Sequence, residues 1–195
     1  MPHGRAVCRQ SCTASAVRMR TAYLLDREVE RVLDLLTPDN RLVMRVCLHT
    51  GLRVGDVLAL RTAQLRPNFW VTEEKTGKRR QVGIPEPLLS DLRANGQPEG
   101  WCFPGADPRK HRSRQAVWKD VKRAAYALRL NCNAAPHSAR KVYAVELLRK
   151  YGDVERVRRA LNHSSVEVTL IYAMADKLHD APARHRRPAA GRKKA

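Results

Sequence analysis

Four residues in the second half of the chain carry side chains that could act together on a phosphate ester: His137, Arg140, His163 and Tyr172. The first two lie three positions apart at the start of a predicted helix, so they share one face of it. Arginine suits phosphate oxygens because its planar guanidinium donates two hydrogen bonds at a fixed geometry. A tyrosine can be the nucleophile, but its ordinary pKa of about 10 leaves it about 0.1% ionised at pH 7, so it needs an electropositive pocket or a base beside it.

Each candidate side chain has a more common structural interpretation when it is taken alone. A histidine that follows a proline is usually a polar residue at a helix start, and a single tyrosine is usually a half-buried aromatic. Arg53 alone would be a cap or ion-pair residue, and Lys75 alone a solvated turn residue. A functional interpretation therefore needs the residues to be considered as a set.

The charge of the chain indicates what that set could act on. Lysine and arginine number 38 against 19 aspartate and glutamate residues, a formal net charge of +19. Such a surplus repels itself unless a polyanion is nearby, so DNA, RNA or an anionic membrane surface is the expected partner, and solvated basic faces are the alternative. No stretch approaches the roughly 18 apolar residues of a membrane span, so no membrane insertion is predicted.

The spacing of apolar residues predicts a mainly α-helical domain with one small antiparallel β-sheet, an α+β class. The two β-prone runs are residues 69–72 and 81–84, and the Thr-Gly pair at 76–77 predicts a hairpin turn between them. Gly51 interrupts the second predicted helix, and Gly152 is placed to end a later one. Helices are predicted from Asp26 to the residue before Pro38, through 42–47, through 57–60, through 88–92, through 117–128, and over about 138–151, 154–161 and 165–175.

Basic residues off the apolar stripe of the 117–128 helix are candidates to face DNA, with a solvated surface as the equal alternative: Lys119, Lys122 and Arg123. Residues 1–23 show no clear periodicity, and residues 178–195 are rich in arginine, lysine, proline and alanine. Both segments are therefore predicted to be disordered basic arms that flank a domain at 24–177. Such arms would add salt-dependent affinity for DNA of any sequence.

The five cysteines are scattered along the chain, at Cys8, Cys12, Cys47, Cys102 and Cys132. Cys8 and Cys12 could begin a zinc site, but no second pair of Cys or His with ligand spacing follows. The sequence therefore predicts free thiols and no bound metal, in keeping with a reducing cytoplasm. The N-terminus also lacks the apolar segment of a signal peptide.

Taken together, the candidate residues resemble the tyrosine recombinase family, the phage integrases among them. Residues 50–60 (TGLRVGDVLAL) resemble its first arginine box, and residues 137–140 (HSAR) its His-x-x-Arg box. Residues 161–165 (LNHSS) resemble its Leu-Gly-His turn, and Tyr172 follows nine positions after the histidine. Residues 75–78 (KTGK) resemble the hairpin lysine motif of phage-type members. The resemblance covers about residues 24–177 and implies the catalytic-domain fold of that family.

The resemblance implies how the scissile phosphate would be bound. Arg53 and Arg140 would grip its non-bridging oxygens, and His163 would donate a hydrogen bond to the same phosphate. Asp56 stands where an acidic residue often supports the first arginine, and orientation of Arg53 is its implied role.

The resemblance also implies the chemical steps. Tyr172 would attack phosphorus and form a 3′-phosphotyrosyl link, and His137 would act in proton transfer near that tyrosine. Lys75 would protonate the leaving 5′-hydroxyl, with Lys78 on the same turn as the runner-up. Because the covalent link keeps the energy of the phosphodiester bond, no ATP, metal or other cofactor is implied.

The chain departs from the family pattern in three places. Asn162 stands where the family has glycine, but asparagine is the next best residue for a left-handed helix end, so the turn is expected to form. Lys141 follows the second arginine where histidine or arginine is common; it keeps the charge and is a further candidate for DNA contact. Residues 1–23 are too short for the helical core-binding domain that integrases usually carry, so the chain resembles compact members such as the fimbrial inversion recombinases, or a truncated copy.

The implied function is a site-specific recombinase that integrates, excises or inverts DNA, bacterial or phage-encoded and associated with the nucleoid in the cytoplasm. The implied partners are double-stranded DNA, further copies of the chain in a homotetramer on two paired sites, and accessory DNA-bending proteins. The first alternative is a DNA-binding remnant or regulator that keeps the fold without strand exchange, although all six expected catalytic side chains are present. A type IB topoisomerase fits the small size and phage-type boxes less well, and a structural nucleoid or ribosomal protein would not explain the ordered boxes.

Overall fold

The computed structural model of the protein describes residues 21–162. The elements in this range are, in chain order, α1 (Asp26–Leu35), α2 (Pro38–Thr50), α3 (Val54–Leu58), a 3-10 turn (Thr62–Gln64), β1 (Asn68–Thr72), β2 (Arg79–Gly83), α4 (Glu86–Asn95), α5 (Arg114–Ala127), α6 (Pro136–Tyr151) and α7 (Val154–Ala160). The predicted mainly α class with one small antiparallel sheet is confirmed. The predicted helix at 165–175, the tail at 178–195 and residues 1–20 of the predicted arm lie outside the described residues.

The two strands form the predicted hairpin, with Phe69 opposite Val82. Side chains along each strand alternate between buried and exposed positions, so one face packs on the core while Trp70 on the other face is 56% exposed. This alternation follows from the two-residue period of a strand. Gly77 lies in the turn with φ +64, a conformation that glycine adopts without steric cost. The hairpin therefore presents Lys75 from a tip whose base is anchored in the core.

Helix α2 lies at the centre of the fold and packs against α6 as well as α1, α3, α4 and α5. It begins with Pro38 in its first turn, and its face towards the core includes the fully buried Val43 and Val46. Gly51 ends it in the left-handed region with φ +65, and its N–H donates to the carbonyl oxygen of Cys47 at 2.9 Å. The predicted interruption at Gly51 is thus the end of this helix, and it brings the chain to Arg53 within two residues.

The chain enters the described part of the molecule along the surface of α5 and α6. The N–H of Ala22 donates to the carbonyl oxygen of Asn133 at 3.0 Å. Tyr23, the last position of the predicted arm, is buried with Leu24 in a cluster that also contains Val142 of α6. The packed part of the protein therefore includes this residue.

The three cysteines within the described residues are free thiols. Burial raises the pKa of the Cys47 thiol to about 12 and that of Cys102 to about 11. Neither is therefore a thiolate nucleophile at neutral pH. Cys8 and Cys12 lie outside the described residues.

Across residues 21–162, no helix combines the length and the apolar character that crossing a membrane would require.

Candidate active site

A cavity of about 450 Å³ opens between α3, the hairpin tip and the start of α6. Its wall contains four of the predicted catalytic side chains: Arg53, Lys75, His137 and Arg140. The rest of the wall is formed by Leu52, Val54, Gly55, Asp56, Glu74, Arg114 and Pro136. His163 and Tyr172 lie outside the described residues, so their place at this cavity stays a prediction.

Arg53 is the N-cap of α3, and two carboxylates hold its guanidinium. Its Nη1 donates a hydrogen bond to Oε2 of Glu73 and lies 4.0 Å from Oδ2 of Asp56. Burial alone would raise the pKa of Glu73, but the hydrogen bonds from Arg53 and Thr76 lower it overall, below its ordinary value. Burial raises the pKa of Asp56, which also has the Glu73 charge nearby. Glu73 is therefore the carboxylate that most firmly keeps a negative charge beside Arg53.

Lys75 lies in the hairpin turn, where one hydrogen bond closes the turn and another ties it to α3. Oγ1 of Thr76 donates to Oε2 of Glu73 at 2.9 Å. The backbone N–H of Glu74 donates to Oδ1 of Asp56 at 2.9 Å. Because the turn is held on both sides of Lys75, this lysine is kept at the cavity wall.

His137 and Arg140 are positioned by the start of α6, where Pro136 occupies the first turn. Arg140 is only 1% exposed. Its Nη1 donates to the carbonyl oxygen of Gly51 at 2.6 Å, and its Nη2 donates to that of Leu161. The guanidinium thus joins the end of α2 to the end of α7, and the same residue lines the cavity.

The cavity makes His137 a weak base. Desolvation by the surrounding protein lowers its pKa from 6.5 to about 4, and nearby cations act in the same direction: Arg140, Lys141, Arg53 and Lys75. The residue nevertheless keeps an exposed surface at the mouth of the cavity. At neutral pH its imidazole is therefore uncharged and within reach of a bound molecule, so it can accept a proton.

Arg80 of β2 makes a connection parallel to that of Arg140. Its Nη2 donates to the carbonyl oxygen of Thr50 at 2.9 Å, and its Nη1 donates to that of Ala160. Asn162 follows with φ +51, so the left-handed conformation predicted at this position is confirmed. The backbone that leads into His163 is thus anchored by two buried arginines.

The other basic residues predicted to face DNA do not line the cavity: Lys78, Lys119, Lys122, Arg123 and Lys141. Lys122 donates to a side-chain amide in the loop before α6, Arg123 donates to the carbonyl oxygen of Leu35 at the end of α1, and Lys141 donates to the backbone of the entering chain. These three side chains join neighbouring segments, and their contact with DNA stays a prediction.

Two residues of the site were not predicted, Glu73 and Arg114. Glu73 is the nearer partner of Arg53, whereas Asp56 accepts a hydrogen bond from the backbone N–H of Glu74 in the hairpin. Arg114 begins α5, and within residues 21–162 its side chain makes no hydrogen bond or ion pair. A signal for Glu73 was present, since it continues the inward alternation of β1, but Arg114 reaches the cavity only through the packing of α5 against α3.

The cavity brings together side chains that can bind a phosphate and move protons during phosphoryl transfer. Three guanidinium groups can donate to phosphate oxygens, one ammonium can give up a proton, and one neutral imidazole can accept one. Among residues 21–162 there is no group of three or more His, Cys, Asp or Glu side chains that could hold a metal ion.

Comparison with known proteins identifies relatives of this chain. The sequence model of the phage integrase family matches residues 22–179. The integrase of Escherichia phage P2 is 30% identical over 155 residues, which cover 78% of this chain and 43% of the relative. Tyrosine recombinase XerA of Pyrococcus furiosus is 26% identical over 170 residues, which cover 80% of this chain and 58% of the relative. The chain therefore spans about half the length of these two relatives.

Solved structures share the fold. The catalytic domain of bacteriophage HP1 integrase superposes with a TM-score of 0.63 at 23% identity, covering 84% of this chain and 97% of that chain. A lambda integrase tetramer bound to a Holliday junction superposes with a TM-score of 0.63 at 18% identity, covering 79% of this chain and 48% of that chain. At such identities the likeness is one of fold, and the predicted catalytic-domain fold is confirmed.

Proposed function

Because the chain belongs to the phage integrase family, we propose that it is a site-specific recombinase that cuts and rejoins DNA strands through a 3′-phosphotyrosyl intermediate. The observation that carries the proposal is the single cavity that gathers Arg53, Lys75, His137 and Arg140 from three separate segments of the chain. A protein that bound DNA only by charge would have no need to bring these different side chains to one point.

The scissile phosphate binds between the two arginines. Arg53 enters from α3 with its guanidinium oriented by Glu73, and Arg140 enters from α6. Each donates to a non-bridging oxygen and so stabilises the charge that gathers there in the transition state. Two of the five N–H donors of Arg140 serve backbone carbonyls, so its position is set before DNA arrives.

Two proton transfers accompany the attack. Tyr172 attacks phosphorus as its phenolic proton passes to His137, which is neutral at pH 7. The bond to the 5′-oxygen breaks, and Lys75 gives that oxygen a proton, so the strand leaves as a 5′-hydroxyl. The 5′-hydroxyl of a partner strand later attacks the phosphotyrosyl phosphorus and returns Tyr172. The number of phosphodiester bonds is conserved, so the reaction requires neither ATP nor hydrolysis.

The substrate is double-stranded DNA, for which the net charge of +19 supplies affinity of any sequence. Arg114 extends the cationic wall beyond the catalytic residues. By analogy with the lambda integrase tetramer bound to a Holliday junction, the chain acts as a homotetramer on two paired sites. Accessory DNA-bending proteins join it where the sites must be brought together. It acts in the cytoplasm, at the nucleoid, where its substrate lies.

The experiment that tests the proposal is covalent trapping. The protein is mixed with labelled, nicked DNA that carries candidate attachment or inverted-repeat sites from beside its gene, and a denaturing gel is searched for a protease-sensitive shift. Tyr172→Phe removes the nucleophile. Tyr126→Phe is the matched control, because Tyr126 is 88% exposed and lies outside the cavity.

A shift that Tyr126→Phe keeps and Tyr172→Phe loses supports the recombinase proposal. Salt-sensitive DNA binding with no shift for the unchanged protein contradicts it and favours the DNA-binding remnant. Relaxation of supercoiled plasmid without any paired site would favour the topoisomerase alternative.

A further inference from the structure

Glu73 is a fully buried carboxylate that lies directly after β1 and outside the cavity wall. Burying an ionised carboxylate is strongly unfavourable unless partners compensate the charge. Oε2 of Glu73 accepts hydrogen bonds from Arg53 and from Thr76, and Oε1 lies 3.6 Å from Nε of Arg80. The carboxylate is thus surrounded by one cation of the candidate active site, one residue of the lysine turn and one structural arginine.

The two partners of Oε2 belong to segments that carry different steps of the proposed reaction. Arg53 holds the scissile phosphate, and Thr76 adjoins Lys75, which protonates the leaving group. One carboxylate oxygen therefore sets the position of α3 relative to the hairpin turn. A shift of Glu73 would move both catalytic side chains, although Glu73 itself cannot touch DNA.

Arg80 lies on the other side of Glu73, where its Nε faces Oε1 at 3.6 Å without a hydrogen bond. Arg80 is 8% exposed, and its guanidinium donates to the carbonyl oxygens of Thr50 at the end of α2 and of Ala160 at the end of α7. Because these carbonyls belong to two packed helices, the guanidinium of Arg80 is itself fixed relative to the core. It therefore presents a positive charge to Glu73 at a fixed position.

We propose that Glu73 is a positioning residue that aligns Arg53 and Lys75 on the same phosphate, by accepting hydrogen bonds from Arg53 and from Thr76 of the lysine turn. The proposal rests on the recombinase function proposed above. It assigns Glu73 no contact with substrate, so the residue acts through its two partners.

Glu73→Gln tests the proposal, because it keeps the shape of the side chain and removes its charge. The rate of strand cleavage should fall about 100-fold, since a misplacement of about 1 Å far from the chemistry has an effect of this size. The Kd for DNA should change less than about threefold, because every cation that meets the phosphates remains. Glu86→Gln is the matched control: Glu86 is an exposed carboxylate of α4 that pairs with Arg93 at 3.0 Å, and its loss should leave the rate unchanged.

Thr76→Val is a second variant that avoids a buried charge, since Thr76 is exposed. It removes the hydroxyl that holds the lysine turn and leaves Arg53 bound to Glu73. Its loss in rate should therefore disappear with DNA in which sulfur replaces the 5′-bridging oxygen, because a thiolate leaves without a proton from Lys75. Glu73→Gln should regain only part of its rate on the same DNA, since the alignment of Arg53 is still lost.

Two results would overturn the proposal. One is a folded Glu73→Gln variant, shown by an unchanged thermal transition, that cleaves oxygen-bridged DNA at the unchanged rate. The other is equal loss on oxygen- and sulfur-bridged DNA in both variants, which would indicate a general effect on the fold.

A measurement without DNA separates this proposal from the recombinase function. Nitrogen NMR of the guanidinium groups, assigned with Arg53→Lys, should show slow rotation of the Arg53 group in the unchanged protein and faster rotation in Glu73→Gln. If no covalent complex forms but this change occurs, the recombinase proposal fails and the positioning of Arg53 stands. If the rotation is the same in both proteins, the positioning proposal fails.

Discussion

Gly51 should be far less tolerant of alanine than Gly152, although the two have the same backbone role. Both end a helix in the left-handed region, with φ +65 and +66. The N–H of each donates back to the helix, to Cys47 at 2.9 Å and to Leu148 at 2.7 Å. The two glycines therefore form a matched pair in which only the surroundings of a new side chain differ.

The expected magnitudes follow from those surroundings. An alanine in the left-handed region is less stable by about 1 kcal/mol at either position. A Cβ on Gly51 would lie 2.3 Å from Cδ1 of Tyr143, whereas a Cβ on Gly152 would meet nothing within 4 Å. Relieving such overlap in a packed region adds about 1–3 kcal/mol. Gly51→Ala should thus lower the free energy of unfolding by about 2–4 kcal/mol, and Gly152→Ala by about 1 kcal/mol.

Urea unfolding of both variants measures the difference, provided that the m-value stays unchanged. Placing each change in a Tyr143→Ala background completes a double-mutant cycle. Without the Tyr143 ring, Gly51→Ala should lower the free energy of unfolding by no more than Gly152→Ala does. DNA cleavage should also fall in Gly51→Ala alone, because the carbonyl of Gly51 accepts the hydrogen bond from Nη1 of Arg140.

Equal penalties for the two glycines would refute this reasoning, because the ring of Tyr143 would then have no effect. A Gly51→Ala penalty that persists without the ring would place the strain in the backbone and refute the packing part alone.

Three further predictions concern charged residues. Acidification from about pH 6.5 to about pH 4 should lower the free energy of unfolding. The pKa of His137 is about 4 in the folded protein and 6.5 without the fold, so the unfolded chain takes up the proton first. In urea titrations at several pH values, His137→Asn should flatten this part of the pH dependence. Asp120→Ala should lower the free energy of unfolding by about 2–4 kcal/mol and Tm by roughly 4–16 °C in a thermal scan. The reason is that the Asp120 carboxylate accepts hydrogen bonds from the N–H of Thr37 at 3.0 Å and from the buried Asn40 at 2.7 Å. An unchanged Tm would contradict this. Arg114→Ala should weaken DNA binding and reduce the salt slope by about 0.9 in anisotropy titrations, whereas Arg93→Ala should not, and equal slopes would place Arg114 off the DNA.

The elements around the site could be predicted because local patterns determine them. The two-residue alternation of β1 and β2 and the glycine at 77 are sufficient for a hairpin, and Gly51 and Gly152 end their helices in the left-handed region as expected. The family boxes then placed Arg53, Lys75, His137 and Arg140 in one site, although they lie in three segments. The order of the boxes carries this information because it is typical of a known fold. Periodicity alone does not identify that fold.

Partners of the catalytic side chains were harder to predict. Asp56 was expected to orient Arg53, but the nearer carboxylate is Glu73, which continues the inward face of β1 after Phe69 and Val71. Arg80 is likewise in phase with buried Val82. A charged residue in phase with buried neighbours requires an opposite charge inside, so Glu73 and Arg80 could have been paired from the sequence. Arg114 offers no such signal, since only the packing of α5 brings it to the cavity.

The dual use of Arg140 decides which variants can separate chemistry from folding. Its guanidinium serves the buried ends of α2 and α7 through Gly51 and Leu161, so its removal leaves two carbonyls without that donor. Each such loss destabilises by about 1–3 kcal/mol. The second carbonyl also lies shortly before His163 and Tyr172 in the sequence. Loss of activity in an Arg140 variant would therefore not distinguish a lost phosphate contact from a displaced proposed nucleophile. Lys75 has an exposed side chain at the cavity, so its replacement removes the proposed proton donor without opening the core. Rescue of Lys75→Ala by sulfur-bridged DNA is therefore the cleaner evidence that this cavity performs the chemistry.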